Sequence, residues 1–390
     1  MDSVSRPNSP PNRPPTRLEG IDALRGLASS AIVIHHVVAL NQIALPAALS
    51  FIPAYFGYGV PLFFIISAFS LFYTYSSRME TRLDVQAYIV RRFARIAPLF
   101  YVMTAVWVAT YKWKFGQVQS VGNILSNLTF TFNFVPAYQN GICWAAWSIG
   151  TEFAFYFFLP LLLVSIRRQR GAIAMLVLTF LAAYGYQTSQ NPIDDTVFIL
   201  TYLPFFAMGI AGYFVFESLS KFSDASRKWL SIVFLLSSTI LIGLTITDGP
   251  FHNMLSRSVR RTDFYVLGFG LALIVFSQGV YPFSILSNKV TRFLGEISFS
   301  LYLLHPWLIL ILKPVYVHLA GSPRHLVSHF ALATGITFIV LLPLAYLSYR
   351  FVELPGIAWG KRASARIRNE ALAGKSVAKP IISSFLGALY

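Results

Sequence analysis

The sequence predicts an all-α fold: a polytopic bundle of about ten membrane-spanning helices with both termini on the inner side. Three observations predict it. Hydrophobic residues make up 56% of the 390 residues and charged residues only 12%, against roughly 25% charged in a typical soluble domain. The mean hydropathy of +0.61 is spread over the whole length, which excludes a soluble domain on a single anchor. Ten apolar runs can be marked at about 24–43, 52–75, 96–111, 147–166, 171–186, 196–216, 229–246, 263–280, 294–312 and 327–349. Each is close to the roughly 20 residues that cross a bilayer.

Charge placement orients the bundle. The net charge of +16 would suit a nucleic-acid binder, but its distribution argues against one. With the N-terminus inside, most basic residues fall in alternate connections. Arg78, Arg82, Arg91, Arg92 and Arg95 precede the third span; Arg167, Arg168 and Arg170 follow the fourth; Lys221, Arg227 and Lys228 follow the sixth. Lys289, Arg292 and a basic tail from Arg350 to Lys379 complete the set. This asymmetry is the positive-inside pattern. The expected location is a cell membrane of bacterial inner-membrane type, with the lipid bilayer as partner and no nucleic acid.

Along the chain, residues 1–16 are rich in Pro, Ser and Asn and are expected to be disordered. They lack the apolar core of a signal peptide, so the first span is expected to stay attached. Residues 17–355 form the expected membrane domain, and 356–390 a basic tail on the inner surface. The single Cys143 allows no internal disulfide.

The first span carries the strongest chemical signal. RLEGIDALRGLASSAIVIHHVVAL places Asp22, Arg25, His35 and His36 on or inside it. A charged or titratable side chain in the hydrocarbon layer costs several kcal/mol by most scales, so such residues mark sites. Arg25 and His36, eleven residues apart, share a helical face about 16 Å apart along the axis. His35 and His36 diverge by about 100° and cannot both face the interior squarely. An imidazole in a closed pocket can act as general base toward a hydroxyl; a polar pair satisfied within the bundle is the alternative.

Before the third span, RRFARIAP sets Arg92 and Arg95 one turn apart on one face, ahead of Pro98. Two guanidinium groups so placed can grip phosphate oxygens, and coenzyme A offers phosphates on the inner side. Plain topology signalling would use the same residues. The long connection 112–146 holds Asn127, Asn133, Tyr138, Asn140 and Trp144, which suit either a cap over an outer-face site or an ordinary interfacial loop.

The fourth span opens with WSIGTEFAFY, placing Glu152 about one and a half turns inside its end. It is expected to face a cavity or a partner and to reach a depth similar to that of His36, where it could orient that histidine or hold an acceptor; pairing with an arginine is the alternative. Spans five to eight carry no comparable signal. In the ninth, ISFSLYLLHPW sets Tyr302 and His305 one turn apart before Pro306, which frees a backbone carbonyl. Glu353, ending the tenth span, is expected to pair with Arg350 or another basic residue. His325 and His329 share a helical face, but no carboxylate or cysteine lies near to complete a ligand set. No metal is expected.

Six of these segments together resemble the acyltransferase type 3 family of integral membrane acyltransferases. In order they are IDALRGLA with a histidine eleven residues after Arg25, GYGVPLFFIISAF at 57–69, RRFARIAP at 91–98, WSIGTEFAFY at 147–156, ISFSLYLLHP at 297–306 and FVELP at 351–355. The resemblance covers roughly residues 17–355. It implies transfer of an acyl group, commonly acetyl, from acyl-CoA at the inner face to a carbohydrate or glycoconjugate hydroxyl at the outer face. It points to Arg25 and His36 as central to activity, to Arg92 and Arg95 as acyl-CoA contacts, and to Glu152 as a third characteristic residue. The expected catalytic set is His36, Arg25 and Glu152. Asp22, Trp147, Ser148, Tyr302 and His305 are the expected substrate contacts. Ala68 stands where the family usually has glycine, which bears on local packing. No outer hydrolase-like domain of the kind larger members append is seen, so transfer is expected within the membrane domain or with glycan-assembly partner proteins. The competing class is a transporter or flippase-like component of polysaccharide export, in which His and Glu would line a pathway. The lack of an internal repeat weakens that reading.

Overall fold

In the computed structural model the chain is described over residues 18–189, 194, 196–247, 249–256, 262–319 and 326–370. The N-terminal segment 1–16, Arg17, His325 and the tail from 371 onward lie outside the described residues. Among the described residues fifteen α-helices follow one another: α1 (Glu19–Asn41), α2 (Phe51–Tyr55), α3 (Gly59–Tyr75), α4 (Arg82–Phe115), α5 (Val121–Leu128), α6 (Ala146–Ser165), α7 (Gln169–Thr188) and α8 (Ile199–Leu219). Then come α9 (Asp224–Ile246), α10 (Pro250–Ser256), α11 (Thr262–Val280), α12 (Lys289–Glu296), α13 (Ser298–Leu319), α14 (Leu326–Ser348) and α15 (Leu354–Glu370). Among the described residues, ten helical stretches are long and apolar enough to cross a membrane, one for each apolar run in the sequence. The protein is a multi-pass membrane protein.

Helical backbone satisfies its own hydrogen bonds, which is why apolar segments of this length can stand in lipid. Burial separates centre from periphery. In α8, 72% of the best apolar window is buried, against 17% in α9. The outward side chains of α9, among them Val233, Leu236 and Ile240, are apolar too, as a lipid-facing helix requires. α1 sits centrally, packed on α3, α12 and α13, while α3 packs on α8 and α8 on α7 and α11.

Two close crossings set this centre. A Cβ on Gly26 would lie 2.5 Å from the Thr291 carbonyl oxygen, and one on Gly295 would lie 2.0 Å from that of Asp22. α1 and α12 therefore meet backbone to backbone. A Cβ on Gly209 of α8 would lie 2.8 Å from the Ala68 Cβ and 2.2 Å from the Ile65 carbonyl oxygen. The methyl group that Ala68 adds, fully buried, is accommodated by a glycine on the facing helix.

α4 is longer than a span. Thr81 and Asp84 form a capping box at its start, and the helix runs unbroken through Arg91, Arg92, Arg95 and Pro98. The basic connection before the third span is thus largely the first turns of that helix. Pro98 cannot donate to the Ala94 carbonyl, and Gly356 lets α15 approach that oxygen, where a Cβ would stand at 2.6 Å. Arg368 pairs with Asp84 at 2.9 Å and Arg91 Nε donates to Ser364 Oγ at 2.8 Å, so α15 is strapped to the start of α4. A π-helical turn, Tyr349–Glu353, joins α14 to α15.

Candidate active site

Five helices, α1, α3, α4, α6 and α13, close around a cavity of about 220 Å³. Its polar lining comes from Arg25, Ser67, Ser70, Thr74, Arg92, Arg95, Ser148, Glu152, Tyr156, Ser298 and Tyr302, with Phe63, Phe64 and Phe299 among its apolar walls. Of the residues singled out in the sequence, six meet here: Arg25, Arg92, Arg95, Ser148, Glu152 and Tyr302.

The arginines share one end. Arg25 donates to Ser70 Oγ at 3.1 Å and pairs with Asp22 at 3.4 Å, so Asp22 serves its neighbour and is not part of the cavity wall. Arg92 is boxed by aromatic rings: its guanidinium lies 5.6, 5.9 and 5.8 Å from the centroids of Tyr75, Tyr88 and Tyr156, within cation–π range. It donates to Tyr75 Oη at 3.3 Å. Arg95 makes no hydrogen bond or ion pair to a described residue, though Arg25 and Glu353 lie within its electrostatic reach. Three arginines line this one cavity with a single carboxylate, Glu152, among its lining residues. Such a set favours a polyanion.

Glu152 sits farther along, on α6. Its Oε1 accepts from Ser67 Oγ at 2.5 Å and from the Tyr156 hydroxyl. Hydroxyls of α3 and α6 thus hold Glu152, which faces the cavity and makes no ion pair with an arginine among the described residues. Ser148 Oγ lies 2.6 Å from Tyr302 Oη, closing the cavity from α6 to α13. Trp147 points away, with ring centroids 6.5 Å from Phe64 and 5.1 Å from Tyr202.

Beyond Tyr302 stands the histidine pair. His36 Nδ1 and His305 Nε2 are 2.9 Å apart, and the Tyr302 and His305 rings are 5.7 Å apart. Neither histidine lines the cavity. His35 turns aside: its ring packs against Gly57, whose Cβ would lie 3.5 Å from it. Divergence of adjacent residues on α1 thus assigns one histidine to α13 and the other to the segment after α2.

Glu353 is not a partner of Arg350. It is buried, 1% exposed, and accepts from the Ser300 hydroxyl, because the π turn rotates it toward α13. The loop asparagines do not cap the cavity either. Asn127 Oδ1 accepts from the Ile142 amide at 3.0 Å, Asn133 donates to the Gln139 carbonyl at 3.1 Å, and Trp144 donates to Tyr111 Oη at 3.1 Å. These bonds build the loop. His329 contacts the Tyr316 carbonyl at 3.1 Å, and among the described residues no group of three potential metal ligands converges.

Ser70, Tyr75 and Tyr88 carried no sequence signal. Tyr156 did carry one, lying four residues after Glu152 and hence on its face of α6.

Comparison with known proteins gives the family. The acyltransferase-domain model of the acyltransferase type 3 family matches residues 18–350. This chain belongs to that family. Its relatives include a protein of Acidianus two-tailed virus named as an acetyltransferase, 26% identical over 73% of this chain and 81% of the relative. The O-acetyltransferase OatA of Staphylococcus aureus is 24% identical over 87% of this chain and 57% of its own length. YrhL of Bacillus subtilis, named as a peptidoglycan O-acetyltransferase, is 26% identical over 90% of this chain and 56% of its own length. The chain thus spans a little over half the length of these two bacterial relatives. No solved structure matches it.

Proposed function

We propose that this protein is an O-acyltransferase that moves an acyl group, acetyl in the first instance, from acyl-CoA to a hydroxyl of a carbohydrate or glycoconjugate. The observation that carries the reading is the convergence of Arg25, Arg92 and Arg95 on one cavity that runs toward Tyr302, behind which stands His36. Coenzyme A is a polyanion with a long flexible arm, and guanidinium groups suit its phosphates. The name of YrhL, a peptidoglycan O-acetyltransferase, points to a glycan acceptor.

In this reading the arginine end faces the cytoplasm, where acyl-CoA is available, and both termini lie there, as the positive-inside pattern suggests. Residues 17–355 form the catalytic domain. The arginines hold the phosphates, and the thioester extends along the cavity toward Ser148 and Tyr302. An acceptor hydroxyl approaches from the histidine end. His36 takes the hydroxyl proton as its oxygen attacks the thioester carbonyl; hydroxyls of Ser148 and Tyr302 are the nearest donors for the oxyanion. The new C–O bond forms, the C–S bond breaks, and the proton passes to the departing thiolate, leaving an ester and free coenzyme A. Glu152 holds the acceptor or orders the cavity.

Purified protein supplied with acetyl-CoA and a candidate glycan should release coenzyme A only when acceptor is present. Mass spectrometry of glycans from cells with and without the protein should show the matching acyl increment. Glycan flux into proteoliposomes without coenzyme A release would replace this reading with a transporter.

A further inference from the structure

The histidine pair contains more information than its proximity. His305 is fully buried, and both of its ring nitrogens have partners. Nδ1 lies 3.1 Å from the Leu301 carbonyl oxygen, and Nε2 lies 2.9 Å from His36 Nδ1. A carbonyl oxygen can only accept, so His305 Nδ1 must carry a hydrogen for the first contact to be a bond. The carbonyl of Tyr302 also faces this ring; it lacks its usual helical donor because residue 306 is proline. The local backbone therefore dictates the His305 tautomer.

A neutral imidazole has one N–H. With Nδ1 occupied by hydrogen, His305 Nε2 is an acceptor, and the 2.9 Å contact forms only if His36 Nδ1 donates. Doubly protonated His305 would reverse the donation, but it would place a cation in a buried site with no carboxylate bonded to either ring among the described residues, which is costly. The Ile32 carbonyl, one turn back on α1, also faces the His36 ring, and His36 Nε2 makes no hydrogen bond to a described side chain.

We infer that His305 is a positioning residue that locks His36 into the Nδ1–H tautomer, leaving the Nε2 lone pair as the proton acceptor. The inference rests on the proposed reading of His36 as the base. When Nε2 takes the acceptor's proton, His36 becomes an imidazolium whose Nδ1–H still donates to neutral His305. No further proton moves, and the cation keeps its hydrogen bond. The positioning that a carboxylate often supplies to a catalytic histidine is supplied here by a second histidine anchored to helix backbone beside Pro306.

The test combines a spectroscopic and a kinetic readout on the full-length protein in bilayers. Nitrogen-15 solid-state NMR of histidine-labelled protein, with the His36 signals identified by their loss in His36→Ala, should show protonated Nδ1 and bare Nε2 at His36. In His305→Leu the His36 signals should move toward the Nε2–H form, and kcat should fall at least about tenfold, a share of the 10²–10⁴-fold that a general base contributes, with the KM for acyl-CoA unchanged. His305→Gln, whose side-chain oxygen can accept near the Nε2 position, should restore most of kcat. A wild-type His36 with hydrogen on Nε2, an unchanged tautomer in His305→Leu, or a His305→Gln no faster than His305→Leu would each overturn the inference. Full activity in His36→Ala would instead remove the base assignment, a separate outcome that the tautomer signals do not depend on.

Discussion

Ser67 Oγ donates to Glu152 Oε1 at 2.5 Å, joining α3 to α6 across 85 residues of sequence. The Tyr156 hydroxyl bonds the same oxygen and lies 3.0 Å from Ser67 Oγ, so three side chains form one closed triangle. Glu152 Oε2 makes no hydrogen bond to a described residue, and the residue lines the cavity. One carboxylate oxygen is therefore anchored and the other is available to what enters.

Replacing Glu152 with Gln keeps the shape and an acceptor for both hydroxyls but removes the charge. A hydrogen bond to a charged group contributes about 1.5–3 kcal/mol, so acyl transfer should fall about tenfold to a hundredfold in a protein that remains folded. Ser67→Ala should cost less, because Tyr156 still holds the carboxylate. Coenzyme A release kinetics, read beside thermal stability in detergent, check both; wild-type turnover in Glu152→Gln would remove the carboxylate from the reaction.

Arg92 and Arg95 occupy different surroundings and should behave differently. Arg95 is unbonded among the described residues, so Arg95→Ala should raise the KM for acyl-CoA about tenfold while acceptor preference and thermal stability stay as they were. Arg92→Ala should raise the same KM and also lower stability, since it empties the tyrosine box of Tyr75, Tyr88 and Tyr156. Isothermal titration with acyl-CoA separates the two effects. Normal acyl-CoA affinity in the double variant would end the assignment.

His36→Ala should reduce turnover by about a hundredfold or more, the typical contribution of a general base, in protein that still inserts and binds acyl-CoA. His35→Ala should retain measurable activity, because that ring packs against Gly57 and makes no contact with the cavity. The reverse ranking of the two variants would exchange their roles.

Sidedness can be read by cysteine accessibility with little background. Cys143 is 1% exposed, and burial pushes its thiol up to about 12, which keeps it from forming the reactive thiolate. In intact cells a membrane-impermeant maleimide should label Lys114→Cys, at the histidine end of α4, and should reach Lys379→Cys only after permeabilisation. Labelling of the tail from outside would invert the topology and the donor side together.

The outline of the fold was legible in the sequence because the bilayer imposes a local rule. Each span must be apolar for about 20 residues and must satisfy its own backbone, so ten runs became ten helical stretches. Helical period likewise placed Arg25 with His36 and Arg92 with Arg95, since residues three or eleven apart share a face whatever surrounds them.

Partners across helices were decided elsewhere. Whether Glu152 meets an arginine or Ser67, whether Glu353 meets Arg350 or Ser300, and whether His36 meets Glu152 or His305 depend on the depth and rotation at which helices cross. Those are set by contacts such as Gly26 with Gly295 and Ala68 with Gly209, by the π turn before α15, and by the capped start that carries α4 past Arg92 and Arg95. Local periodicity determined which side chains face inward. Only the packed bundle determined which of them touch, because side-chain pairing is short-ranged and a shift of one turn, about 5.4 Å, changes every partner.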